Sequence, residues 1–385
     1  MFHNAALKRT ALAPFDWPLF CVAAGLLGFG LIMVYSASIA NAYQIDPEGN
    51  GAYYLMRQSI YAVLGVVGGW MAYQMPIDRW QKLAPYVFFA AVVSLVLVLL
   101  PVIGKSINGS QRWITLGPLG NFQSSELMKL ATILYAADYM VRKASHMHSL
   151  QKGFLPMLLV MVGISALLQM QPDLGGTVVI IAIAMGILFL GGLDLRLFTL
   201  LLILVLVGVV WLILIEEFRL ARITSYADPW KNWHGSGFQI THALMAIGRG
   251  GWLGEGIGNS VDKLHYLPEV HTDFIFAVIG EETGLFGILT LIGLFAWMGW
   301  RAFSIGWQSS LMGRNFHALV AQGVGLWFSV QSFFNMGVNM ALLPPKGLTL
   351  PLLSYGGSGL LMNMLALALL LRVDTENRQM MRGRR

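Results

Sequence analysis

The strongest cluster of residues able to do chemistry is Lys263-Leu264-His265-Tyr266-Leu267-Pro268-Glu269-Val270-His271-Thr272-Asp273-Phe274-Ile275-Phe276. A carboxylate at a partly desolvated edge gains proton affinity and serves as a general base, or it holds a cation. Thr272 or Asp273 would cap the apolar run that follows, which accounts for one polar residue there but not for Lys263, Glu269, His271 and Asp273 together. A second set is Gly109-Ser110-Gln111-Arg112-Trp113-Ile114, followed by Gln123-Ser124-Ser125-Glu126-Leu127-Met128-Lys129. Glu126 and Lys129 share a helix face; such a pair either works in a site or neutralises itself inside a bundle. In Gln171-Pro172-Asp173-Leu174-Gly175-Gly176-Thr177, Asp173 suits the positive end of a helix begun by Pro172, and equally a ligand role. The last set runs from Leu343 through Lys346 and Ser354 to Gly359, where Lys346 offers a compact charge suited to phosphate. Its prolines stiffen the approach and its glycines admit close neighbours. His234, His242, His265 and His271 lack the tight spacing of a zinc site.

These sets must be positioned by membrane helices. Hydrophobic residues make up 56% of the 385 positions and charged residues 11%, against roughly 25% in soluble domains, so most of the surface faces lipid. Ten stretches approach the ~20 apolar residues of a span: 17–39, 54–75, 84–104, 126–142, 154–171, 174–192, 196–217, 272–299, 316–340 and 353–372. The expected fold is an all-α polytopic membrane protein, a single integral membrane domain over 1–385. The fourth stretch carries Glu126, Lys129 and Asp138, which predicts that Glu126 and Lys129 face the bundle interior. Glu281 and Glu282, inside the eighth, are either buried partners or working groups. Lys and Arg concentrate in the loops that share a side with both termini, which makes that side cytoplasmic. The remaining basic residues crowd into a few loops on the other face.

One loop, about 218–271, is long, with a short helix expected near Phe238–Ile247 and a tight glycine-rich turn after it. The positive charge forms no stripe, which argues for topology and against nucleic acid. The single cysteine, Cys21, excludes a disulfide framework and a cysteine-based metal site. The apolar run after Lys8 and Arg9 is too long for a signal peptide and reads as a retained span.

On the motifs quoted, the chain resembles the SEDS family (shape, elongation, division and sporulation) over essentially all ten stretches. The resemblance rests on 109–114, Ser-Glu-Leu-Met-Lys-Leu (125–130), Gln-Pro-Asp-Leu-Gly (171–175), Leu-Pro-Glu-Val-His-Thr-Asp-Phe-Ile-Phe (267–276) and Lys-Gly-Leu-Thr-Leu-Pro-Leu-Leu-Ser-Tyr-Gly-Gly-Ser (346–358). The last motif resembles the division branch more than the elongation branch. Ser124, Pro345 and Gly359 depart from the usual proline, threonine and serine. The resemblance implies a peptidoglycan glycosyltransferase that polymerises lipid II during septal cell-wall synthesis, in the bacterial inner membrane with its active site outside.

Asp273 matches the family's essential aspartate and would activate the acceptor 4-hydroxyl. Arg112, Lys263 and Lys346 would neutralise diphosphates, with a divalent cation (Mg or Mn, Asp273 its candidate ligand) and no organic cofactor. Trp113, Glu126, Lys129, Asp173, Glu269, His271, Thr272 and Ser354 complete the expected substrate-binding set. A class B penicillin-binding protein transpeptidase and division-complex regulators are the implied partners. Two other readings compete: a lipid II flippase, using Arg57, Glu126, Lys129 and Asp138 as a path, and a non-catalytic division scaffold.

Overall fold

The computed structural model describes residues 15–45, 51–107, 109–115, 117, 120–147, 149–215, 229–231, 235, 237–263, 270–344 and 346–383. Ten helices coincide in order with the ten apolar stretches: α1 (Trp17–Ile45), α2 (Tyr53–Gln74), α3 (Ile77–Leu99), α4 (Ser124–Arg142), α5 (Leu155–Met170), α6 (Leu174–Leu190), α7 (Leu195–Ile215), α9 (Ile275–Leu311), α10 (Asn315–Asn339) and α11 (Gly357–Met381). The short helix expected in the long loop is α8 (Phe238–Arg249). Among the described residues, five segments are long and apolar enough to cross a bilayer by themselves: Trp17–Gln44, Ile77–Leu99, Leu150–Met170, Ile275–Leu311 and Gly357–Met381. Leu174–Leu190 and Leu195–Gly208 are shorter apolar helices. The rest carry polar residues into the interior.

Burial separates lipid-facing from central helices. In the most apolar window of α3 only 22% of residues are buried, and Tyr86 and Phe89 point outward, as do Val66 and Trp70 of α2 and Leu206 and Trp211 of α7. By contrast α4 is buried along almost its whole length, although its composition is among the least apolar of the ten. Its Glu126 and Lys129 face the interior, as the sequence required. The closest helix pairings are α9 with α10, α2 with α11 and α3 with α4.

Three differences from the sequence reading have physical causes. An antiparallel sheet of β1 (Gly104–Ile107), β2 (Ser110–Thr115) and β3 (Asn121–Gln123) joins α3 to α4, in strands too short for a periodic signal. The helix α3 begins seven residues before its apolar stretch, because Asp78, Arg79 and Lys82 form a polar first turn. The helices α9 and α11 outrun their apolar stretches to Leu311 and Met381, where ion pairs solvate their polar ends. Among these, Arg301 and Arg378 reach Asp16 ahead of α1, and Glu376 takes Arg314, His317 and Arg372. These contacts gather both ends of the described chain at one end of the bundle. Alternation along the chain then puts the sheet, the α5–α6 turn, α8 and the α10–α11 loop at the other end.

Candidate active site at the loop end of the bundle

Asp273 lies in the turn before α9 and is half-buried. Sequence reasoning offered Thr272 or Asp273 as the cap of this helix. The residue at the capping position is Phe274, with no side-chain cap bond, and the amide of Ala277 is met instead by Asn339 Oδ1 at 3.1 Å. That acceptor comes from the end of α10. The backbone carbonyl of Asp273 accepts from Asn335 Nδ2 (2.8 Å) and Asn339 Nδ2 (3.0 Å), and the same Asn335 amide donates to the Leu348 carbonyl at 2.6 Å. The carboxylate faces the loop that follows Lys346: a Cβ on Gly347 would stand 2.9 Å from Asp273 Oδ2. A side chain at 347 would have to push that carboxylate aside. Two motifs separated by more than seventy residues therefore meet at Asp273, with half-buried Lys346 one residue from the contact.

Beneath this loop Lys129 is 1% exposed. Its Nζ donates to Glu126 Oε1 and to Gln331 Oε1, each at 2.7 Å, and lies 5.2 Å from the ring centre of Trp327. Gln331 in turn donates to the Thr349 carbonyl at 2.8 Å. The pair thus supports the Lys346–Ser358 segment from below. Gly359 packs against Glu126, where a Cβ would stand 3.6 Å from the carboxyl carbon.

Arg112, on β2 and half-buried, reaches across to the α5–α6 turn. It donates to the carbonyls of Gln171 (3.2 Å) and Pro172 and stands 3.6 Å from Asp173 Oδ1. Asp173 caps α6 through Gly176 N at 2.9 Å, so its structural reading holds. Trp113, next on β2, is half-buried and paired with Lys105 and Gln123.

Lys263 is 5% exposed, and its Nζ donates to Ser36 Oγ (3.1 Å), the Gly258 carbonyl (2.5 Å) and Glu282 Oε1 (3.1 Å). Its charge is directed into the bundle, toward α1 and α9. Glu281 beside it takes Arg249 (2.6 Å), Ser260 Oγ (2.5 Å) and Val261 N (3.1 Å). The Glu281 hydrogen bond raises the Arg249 pKa above its ordinary value. His242 pairs with Asp262 at 2.9 Å. The glycine-rich turn wraps the kink of α9: Gly284 has φ 67°, and a Cβ on Gly254 would stand 2.2 Å from the Glu282 carbonyl oxygen.

An aromatic wall closes the remaining side. The buried His271 ring lies 4.4 Å from Tyr54 and 5.4 Å from Tyr355, and Tyr355 N donates to the His271 carbonyl at 2.9 Å. Burial pushes the Tyr355 hydroxyl up to about 12, against the opposing pull of Arg57, so it stays protonated throughout the physiological range. Ser354 Oγ accepts from Leu350 N at 2.7 Å, and Gln58 of α2 donates to the Ser354 carbonyl at 3.1 Å while accepting from Gly356 N.

Asp273, His271, Thr272, Lys346 and Ser354 are thus brought to one mouth, with Glu126 and Lys129 under it. Arg112 and Asp173 lock two loops together, and Lys263 points inward. Glu269, His234, His265 and Pro345 lie outside the described residues. The sequence reading passed over Gln331, Asn335, Asn339 and Gln58. Their signal was present: Gln331, Asn335 and Asn339 recur every fourth residue in an apolar helix, a polar stripe on one face. Among the described residues no group of three His, Cys, Asp or Glu side chains has the spacing of a metal site.

Comparison with known proteins agrees with this architecture. The family model described as "Cell cycle protein", of the FtsW, RodA and SpoVE type, matches residues 17–379. The "Probable peptidoglycan glycosyltransferase FtsW" of Aromatoleum aromaticum is 51% identical over 374 residues, covering 97% of this chain and 91% of that protein. Its namesake from Burkholderia thailandensis is 50% identical over 387 residues, covering 99% and 83%. Among solved structures, a chain reported under "Structural coordination of polymerization and crosslinking by a peptidoglycan synthase complex" superposes with a TM-score of 0.76 at 28% identity, covering 94% of this chain and 98% of that one. The rod shape determining protein RodA of Thermus thermophilus gives 0.68 at 29% identity, covering 96% and 98%. The match runs from the first helix almost to the end of the last, and the chain belongs to the FtsW–RodA–SpoVE (SEDS) family of multi-pass membrane proteins.

Proposed function

We propose that this chain is a peptidoglycan glycosyltransferase of the division type, which polymerises lipid II into glycan strands. The observation that carries the reading is the meeting of Asp273 with the Lys346–Gly347 loop at the mouth of a lipid-embedded bundle. A substrate anchored by a polyprenyl tail can present its diphosphate and sugars at such a mouth without leaving the bilayer. The acceptor 4-hydroxyl oxygen attacks the anomeric carbon of the donor. A C–O bond forms to that carbon as the bond to the diphosphate oxygen breaks, and undecaprenyl diphosphate departs with the electron pair. The hydroxyl proton passes to Asp273.

Charge developing on the diphosphate is where stabilisation counts most. Lys346, one residue from the Gly347–Asp273 contact, suits that task, and Arg112 holds the neighbouring loop. Lys263, turned toward Glu282, acts by holding the long loop in place. A divalent cation would be held here by the Asp273 carboxylate, a hard oxygen donor of the kind that suits Mg²⁺ or Mn²⁺. Bound there, it would supply further neutralisation of the leaving group.

The excess of Lys and Arg at the end holding both termini makes that end cytoplasmic and the mouth extracytoplasmic. The setting is the inner membrane at the septum, beside a class B penicillin-binding protein transpeptidase and division regulators. Purified chain with that partner, given lipid II, is expected to release undecaprenyl diphosphate and form muramidase-sensitive strands, while Asp273→Asn forms none. Polymerisation by Asp273→Asn at the wild-type rate would overturn the assignment. Lipid II transfer across liposomes without polymer would favour a flippase instead.

A further inference from the structure

The stripe on α10 connects several parts of the mouth. Gln331, Asn335 and Asn339 stand at successive intervals of four, on one face and fully or nearly fully buried. Gln331 accepts from Lys129 and donates to Thr349 O. Asn335 donates to Asp273 O and Leu348 O. Asn339 donates to Asp273 O and, through its own oxygen, receives the amide of Ala277 at the start of α9. Three stretches distant in sequence, around Lys129, Asp273 and Lys346, are thus registered against a single rigid helix.

Resting on the glycosyltransferase reading above, we propose that Asn335 is a positioning residue of the reaction. Its one amide nitrogen sets the spacing between the general base and the loop that meets the diphosphate. The Asp273 carboxylate belongs to the residue whose own carbonyl Asn335 holds, and Gly347 is the residue before Leu348, whose carbonyl is the other acceptor. Both N–H groups of the amide are engaged, whereas Asn335 Oδ1 is buried with no hydrogen-bond partner among the described residues. A side chain kept for packing alone would carry no such orphan acceptor. An asparagine kept for its paired donors does. Donors fixed on a helix hold a reacting pair more closely than a loop does alone, and small displacements of reacting groups cost rate steeply.

The predicted mark of positioning is a loss in kcat without a matching change in affinity. Asn335→Asp replaces the donor with oxygen opposite two carbonyls, and Asn335→Ala removes it without adding charge. In the full-length chain with its transpeptidase partner, both are expected to lower kcat for lipid II polymerisation by about 100-fold, with KM within threefold of wild type. Asn339→Ala, which leaves one donor on Asp273 O, should lose about tenfold. Ser332→Ala, on the same helix and bonded only to its own backbone, keeps wild-type kcat.

Thermal melts of each variant in detergent separate positioning from folding. If both Asn335 variants keep kcat within threefold, or lose it only in proportion to lost folded protein, the proposal is wrong. The Asp273→Asn control tells the two levels apart. A dead Asp273→Asn beside an active Asn335→Ala rejects the positioning role alone, whereas an active Asp273→Asn rejects the reading on which it rests.

Discussion

At the scale of single residues, the chemistry depends on which charges are already satisfied inside the protein. Glu126 and Lys129 show the rule in its strongest form. Their ionic bond is buried, Gln331 takes a second ammonium proton, and the Trp327 ring faces the charge. Removing one partner leaves a charge stranded in a medium that cannot solvate it, at a cost of about 3–5 kcal/mol. Lys129→Met alone is therefore expected to lower the melting temperature sharply, and adding Glu126→Gln should restore most of the loss; a thermal melt of the three variants in detergent reads this directly. At the mouth, Gly347→Ala should lower polymerisation about tenfold or more with little loss of stability, since its methyl would push the Asp273 carboxylate aside. Wild-type turnover by Gly347→Ala would show that the contact does not matter. The sequence announced Asp273 and Lys346 through motif resemblance and left Glu126–Lys129 with two readings. Which cations face inward was not legible, because Lys263 finds Glu282 and Ser36 only once α1 and α9 are packed together.

At the scale of elements, helices were legible and their working faces were not. Apolar run length placed ten helices in their order but stopped short of the polar extensions of α3, α9 and α11, and the short helix α8 was expected within the long loop. The sheet between α3 and α4 escaped notice because strands of three to six residues carry too little periodicity. The polar face of α10 escaped because four-residue spacing of amides is diluted by the apolar residues between them. The cap of α9 was misplaced for a related reason: local sequence offers Thr272 and Asp273, while the actual acceptor, Asn339, arrives from another helix. The turn after α8 is fastened to α9 by Glu281 and Glu282 and by close glycine packing. Gly254→Ala would meet both a φ of 82° and the Glu282 carbonyl. It is expected to cost about 1–3 kcal/mol locally and to raise hydrogen exchange across residues 250–263 above that of α10. Unchanged exchange there would mean that the turn is held by other contacts.

At the scale of the whole molecule, the bundle has two chemically different ends. One end joins the start of α1 to the tails of α9 and α11 through Asp16, Arg301, Arg378 and the group around Glu376. The other collects the sheet, the α5–α6 turn and the loops that meet at Asp273. Outward apolar residues on α2, α3 and α7 place lipid between those ends, and under the proposed function a tailed substrate would reach the mouth laterally. The central question is whether that mouth binds lipid II and uses Asp273 to join it. Equilibrium binding of lipid II and strand synthesis, measured on the same preparation of Asp273→Asn, decide this most directly. The predicted result is binding within a few-fold of wild type with strand synthesis below about one-thousandth of its rate. Strand synthesis at a rate comparable to wild type, with binding intact, would contradict it.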